Sequence, residues 1–84
     1  MKSERFGRNV VLTHHARQRM AQREVSMVEL TELIERGQLH FKDSRRMWIS
    51  IRFDHRDDNQ VCVAAVIDRH LIIKTVMTLW EPLP

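Results

Sequence analysis

The sequence predicts an α+β domain of two layers, with an N-terminal helical hairpin packed on one face of a three- to four-stranded antiparallel sheet. Three observations lead there. Up to Gly37 apolar residues recur at helical spacing. Beyond Gly37 the period falls to two, with Met47, Ile49, Ile51 and Phe53 alternating against Trp48, Ser50, Arg52 and Asp54. The chain has 84 residues and shows no repeat, linker or low-complexity stretch, so one core and one domain, 1–84, are expected.

The elements follow in order. Asn9-Val10-Val11-Leu12 is a short apolar run that fits an edge strand. Thr13 is an N-cap candidate, and good helix formers run from Ala16 to Gln22. Ser26-Met27-Val28-Glu29 fits a capping box, with Val25 and Leu30 as its hydrophobic staple. Met27, Leu30, Leu33 and Ile34 form an apolar stripe, and Gly37 is expected to end that helix in a left-handed conformation. Leu39 to Lys42 adds a short edge strand. Met47 to Phe53 is a half-buried strand. Val61 to Ile67 is apolar throughout, as a central strand covered on both sides would be. Leu71 to Trp80 returns as the third long strand, with Ile73, Met77 and Leu79 inward and Lys74, Val76, Thr78 and Trp80 outward.

Composition narrows the function classes. The net charge is +3 with pI near 9.8, and 43% of residues are apolar. Residues 1–23 hold Lys2, Arg5, Arg8, Arg17, Arg19 and Arg23 against Glu4 alone, a net of +5, while the remainder nets −2. A basic front on a near-neutral body suits an anionic partner, or serves solubility alone. No apolar stretch is long enough for a membrane span, and the N-terminal residues lead into no secretory segment. A lone cysteine, Cys62, makes no internal disulfide, and a reduced cytoplasmic setting is the default. It lies in the most apolar run, where a thiolate is disfavoured.

Two groups of residues invite chemistry. His15, Arg19 and Arg23 recur every four residues, so one helix face carries an imidazole and two guanidiniums. Such forks match phosphate oxygens and stabilise charge growing on a reacting phosphate. The same three residues also suit a solvated basic face. The second group is the outward face of the sheet, where Trp48 and Trp80 stand with Arg45, Arg46, Arg52 and Lys74. Indoles beside cations bind unstacked nucleotides, and equally pack on each other or across a homodimer interface. His14, His15, His40, His55 and His70 are scattered without ligand spacing, so neither a metal nor another cofactor is expected.

The stretch from Thr13 to Ser26, with Val28, Leu33 and Gly37 after it, resembles the opening of the domain of unknown function 4258 family. His15, Arg19 and Arg23 stand where that family has its histidine and two arginines, and Ile72 to Thr78 resembles its closing strand. Glu24 replaces a customary glycine, and Met77 a common aromatic. The resemblance implies a fold similar to the small RelE, ParE and BrnT toxins and to metal-independent ribonucleases. It implies RNA as substrate, with ribosome association as one form of it, and a cognate antitoxin as partner. It implies His15 as base or acid and Arg19 and Arg23 as phosphate holders, with Thr78 or Ser50 contributing a hydroxyl. The competing expectations are a non-catalytic protein-binding module and an inactive homo-oligomer.

Overall fold

The computed structural model describes residues 1–58 and 60–78. Thr13 is extended, and its hydroxyl accepts from the Ala16 amide at 3.0 Å, so the helix α1 (His14–Gln22) starts at the expected cap. Ser26 and Glu29 complete a reciprocal capping box that opens α2 (Met27–Arg36). Leu30, Leu33 and Ile34 on α2 are fully buried, each contributing about 1.5–3 kcal/mol by leaving water.

Strand outweighs helix, at 44% against 25% of the described residues. The strands are β1 (Lys2–Ser3), β2 (Arg8–Leu12), β3 (Gln38–Phe41), β4 (Arg46–Arg52), β5 (Gln60–Ile67) and β6 (Leu71–Thr78). They form one curled, half-barrel sheet in the order β1-β2-β6-β5-β4-β3. This corrects the expected architecture. The helices are not an N-terminal hairpin on a three- to four-stranded antiparallel sheet, because two strands precede them and six strands make up the sheet. Nor is the run around Val10 an edge. β2 pairs antiparallel with β1 and parallel with β6, through Val10–Leu71, Val11–Ile72 and Leu12–Ile73. Sequence periodicity reports which side of a strand is buried but not which strand lies beside it, so the parallel pairing was invisible. The helices also part company. α1 packs on β6 and β2, and α2 on β4 and β1.

Met47, Ile49 and Phe53 are buried on the inner face, as the alternation predicted, and Val61, Val63 and Ala65 of β5 share that face. β6 departs from its predicted phase. Ala64 pairs with Thr75 but Ala65 pairs with Ile73, leaving Lys74 as the extra residue of a β-bulge. One inserted residue exchanges the faces of everything after it. Val76 is therefore fully buried instead of outward, Met77 lies on the opposite face across from Cys62, and Thr78 sits opposite the buried Val61. Leu79 and Trp80 lie outside the described residues.

Gly37 ends α2 with φ −68° and ψ 162°, not in the left-handed conformation expected of it. Close approach is the reason for glycine. A Cβ there would lie 2.4 Å from the Leu33 carbonyl oxygen and 2.7 Å from Ile49 Cγ2.

Candidate functional site

His15 and Arg23 are exposed on α1 and Arg19 is half-buried between them. Arg19 Nε donates to His15 Nε2 at 3.5 Å, the outer limit of a hydrogen bond, and its Nη1 donates to Gln22 Oε1 at 3.0 Å. For Nε2 to accept, the ring proton sits on Nδ1. His15 and Arg19 thus form one unit, and Arg23 continues the ridge as the C-cap residue. No carboxylate pairs with any of the three among the described residues.

No cation of the basic front is in an ion pair among the described residues, although Arg5 is near enough to Glu35 to help lower its carboxyl. The five ion pairs among the described residues all join groups between Glu29 and Asp68, and none uses a cation of residues 1–23. Arg5 and Arg8 spend their donors on backbone carbonyls instead. Arg5 Nη1 reaches Ile34 O at 3.1 Å and Gly37 O at 2.7 Å, closing the C-terminal end of α2. Arg8 reaches Asp68 O at 2.8 Å and Phe6 O at 2.9 Å.

Both ends of the ridge are anchored by tertiary contacts. At the start, the Thr13 amide donates to Ile73 O at 3.1 Å and the Thr13 hydroxyl to Lys74 O at 3.0 Å, which ties α1 to the bulge of β6. At the far end Arg56, on the β4–β5 turn, donates to Arg23 O at 2.8 Å and Glu24 O at 2.9 Å. Those are carbonyls that a helix end leaves without partners. Arg56 is clasped in turn by Asp58, at 2.7 Å and 2.8 Å, and by both Glu29 oxygens at 3.1 Å. The Asp58 hydrogen bonds lead the causes that raise the Arg56 guanidinium further. Burial alone would raise the Glu29 carboxyl, but the Ser26 amide, His55 at 2.8 Å and Arg56 outweigh it and hold it at about 2.

The predicted nucleic-acid residues on the sheet are not gathered into one site. Arg45 pairs with Asp68 at 3.2 Å and Arg46 with Asp43 at 2.7 Å. Asp43 also accepts the Arg45 and Arg46 amides, which, with the Arg46 side chain, hold its carboxyl at about 2. Arg52 stands exposed at the opposite end of β4, across from Gln60. Trp48 is half-buried between His40 and Ala64, and Trp80 lies outside the described residues. Lys74 is exposed in the bulge. Thr78 makes no hydrogen bond to His15, Arg19 or Arg23, and it lies on the face opposite to the one expected.

Sequence reasoning missed two groups. His40 Nε2 lies 3.1 Å from the Ser50 hydroxyl, on the face shared by Trp48 and Cys62. The signal was available, since His40 has the outward phase of its short strand. Arg56 was overlooked inside a polar turn, although a lone cation among Asp54, Asp57 and Asp58 invites the question of what it holds. Cys62 is fully buried, and burial pushes its thiol up to about 12, so it carries no thiolate near neutral pH. No group of three His, Cys, Asp or Glu among the described residues is placed to hold a metal ion.

The sheet and its two helices define a small α+β protein in which none of the six basic side chains of residues 1–23 is in an ion pair among the described residues. The family described as Domain of unknown function (DUF4258) matches residues 12–78, and the chain belongs to it. No curated protein and no solved structure matches the chain.

Proposed function

We propose that this protein is a small toxin-like RNA-binding protein whose His15–Arg19–Arg23 ridge grips a backbone phosphate, and that the ridge carries metal-independent endoribonuclease chemistry. One observation carries the reading: an imidazole and two guanidiniums share a helix face, with His15 and Arg19 in contact and no carboxylate neutralising them. A guanidinium without a carboxylate keeps its charge for a phosphate, and Arg19 still has Nη2 to offer beside its contacts with His15 and Gln22.

The chemistry balances with these groups alone. The 2′-hydroxyl attacks the adjacent phosphorus and gives its proton to His15 Nε2, which gives up its long contact with Arg19 Nε to take it, as the P–O5′ bond breaks. The products are a 2′,3′-cyclic phosphate and a 5′-alcohol, whose proton returns from the imidazolium. Arg19 and Arg23 stabilise the charge that gathers on the non-bridging oxygens. Thr78 has no place in this scheme. The role of antitoxin falls to a protein that covers the ridge or holds the toxin elsewhere on its surface.

Purified protein incubated with RNA in the presence of a chelator tests the reading. We expect cleavage that leaves 2′,3′-cyclic ends and is lost in His15→Ala. Binding of oligouridylate should weaken with salt at a log–log slope of about −0.7 per phosphate contact, and the slope should shrink in Arg19→Ala and Arg23→Ala. RNA left intact but bound with that slope supports a non-catalytic binding module. A flat salt response removes the RNA reading altogether.

A further inference from the structure

Three of the five large apolar side chains exposed among the described residues line one cleft, and a fourth borders it in sequence on α2. Met1, Val11 and Met27 are 45%, 41% and 48% exposed, and together with Val10, Leu12 and Arg17 they line a cleft of about 250 Å³. Val28, 77% exposed, follows Met27 on α2, and Thr31 on the next turn reaches Met1 Sδ at 3.7 Å. The fifth, Phe41, stands apart on the edge strand β3. Single exposed apolar residues are ordinary, whereas a contiguous group beside a cleft marks a contact surface.

The surrounding charge selects the partner. Arg17 forms the rim of the cleft, and Lys2 stands exposed next to Met1. Neither is in an ion pair among the described residues. Val28 lines the neighbouring groove, where Glu4, Glu32 and Glu35 outnumber Arg5 and Arg36, so negative charge on a partner belongs at the Arg17 end. We propose that this surface docks an acidic segment of another protein, with apolar side chains filling the Met1–Val11–Met27 cleft and carboxylates meeting Arg17. An apolar anchor inside a charged rim is the usual anatomy of such contacts. Aliphatic and thioether side chains give nucleotide bases no ring to stack on, which sets this surface apart from an RNA site.

Arg17 is two positions from both His15 and Arg19, which places it about 160° away round α1. A partner on the cleft therefore leaves the ridge open, and the inference stands independently of the RNA reading. The test is a titration of the intact protein with two synthetic amphipathic peptides, one of leucine and glutamate and one with lysine in place of each glutamate. We expect the acidic peptide to bind and the basic one not to. Val28→Asp, Met27→Asp and Arg17→Glu should each weaken binding about tenfold or more. These side chains are exposed, so the fold tolerates the changes. Val28→Asp should leave oligouridylate binding unchanged, which separates failure here from failure of the ridge. Absent or equal binding of the two peptides, or indifference to Val28→Asp, overturns the proposal. So does a dimer in sedimentation that Val28→Asp abolishes, because the surface then belongs to a second copy.

Discussion

Glu24 and Gly37 show how one residue type is dictated by two different forces. Glu24 has φ +53°, the left-handed conformation that glycine adopts freely and other residues adopt at a cost of about 1–2 kcal/mol. It is the residue after the C-cap of α1. Its amide donates to Ala21 O at 3.3 Å, and the Val25 amide to Met20 O at 2.9 Å, the paired bonds of a Schellman ending. The glycine that the family resemblance puts here is thus a conformational requirement that this chain violates. At Gly37 the dihedrals are ordinary and crowding makes the demand. Thermal unfolding distinguishes the two. Glu24→Gly should raise stability by about 0.5–1 kcal/mol, the relief of strain exceeding the added chain entropy. Gly37→Ala should lower it by about 1–3 kcal/mol through overpacking against backbone oxygens. Equal effects of the two changes would refute this assignment.

At the scale of elements, α1 is a short helix held from outside itself. Nine residues are too few for a helix to persist by propensity. Ala16 and Met20 bury its inner face, Thr13 fastens its start to β6, and Arg56 closes its end. The start was legible because a capping threonine bonds within its own neighbourhood. The end was not, because Arg56 is more than thirty residues away in sequence. Arg56→Ala removes both carbonyl contacts and leaves Glu29 and Asp58 without their cation. We expect a loss of about 3 kcal/mol in a urea titration, the cost of breaking a largely buried pair from one side. Amide hydrogen exchange should rise more in α1 than in β5. Uniform loss of protection would mean that Arg56 supports the whole fold rather than this helix.

Across the whole molecule, the ion pairs lie beyond residue 28. Glu29, Asp43, Asp58 and Asp68 are held in them, and Glu35 is held by the Glu4 and Arg5 amides and the Ser3 hydroxyl, whereas no cation before residue 24 is in an ion pair among the described residues. Acid sensitivity follows. Burial tends to raise Glu29, Glu35 and Asp58, but their hydrogen bonds and neighbouring cations win, and all three are held below their ordinary values, Glu29 at about 2. For Glu35 those bonds come from the Arg5 and Glu4 amides and the Ser3 hydroxyl. A carboxyl lowered in the folded state adds stability above its unfolded pKa, and that stability is lost as pH falls through the folded value. Thermal midpoints should therefore drop between about pH 5 and pH 2, with Glu29 accounting for about 2–3 kcal/mol of the change. Glu29→Gln should lower stability at pH 7 and flatten the profile. An unchanged profile would count against the network around Arg56.

Local patterning by itself determined both helices with their starts, the three long strands, the buried face of β4 and the His15–Arg19–Arg23 ridge, since each depends on residues within a few positions of one another. Only the tertiary structure decided that β2 lies parallel to β6 inside a six-stranded sheet, that the bulge at Lys74 turns Val76 inward, that Arg45 and Arg46 are held by Asp68 and Asp43, and that Met1, Val11 and Met27 meet beside Arg17. Pairing partners, register and surface neighbours arise from contacts between distant segments, and periodicity along one segment carries no record of them.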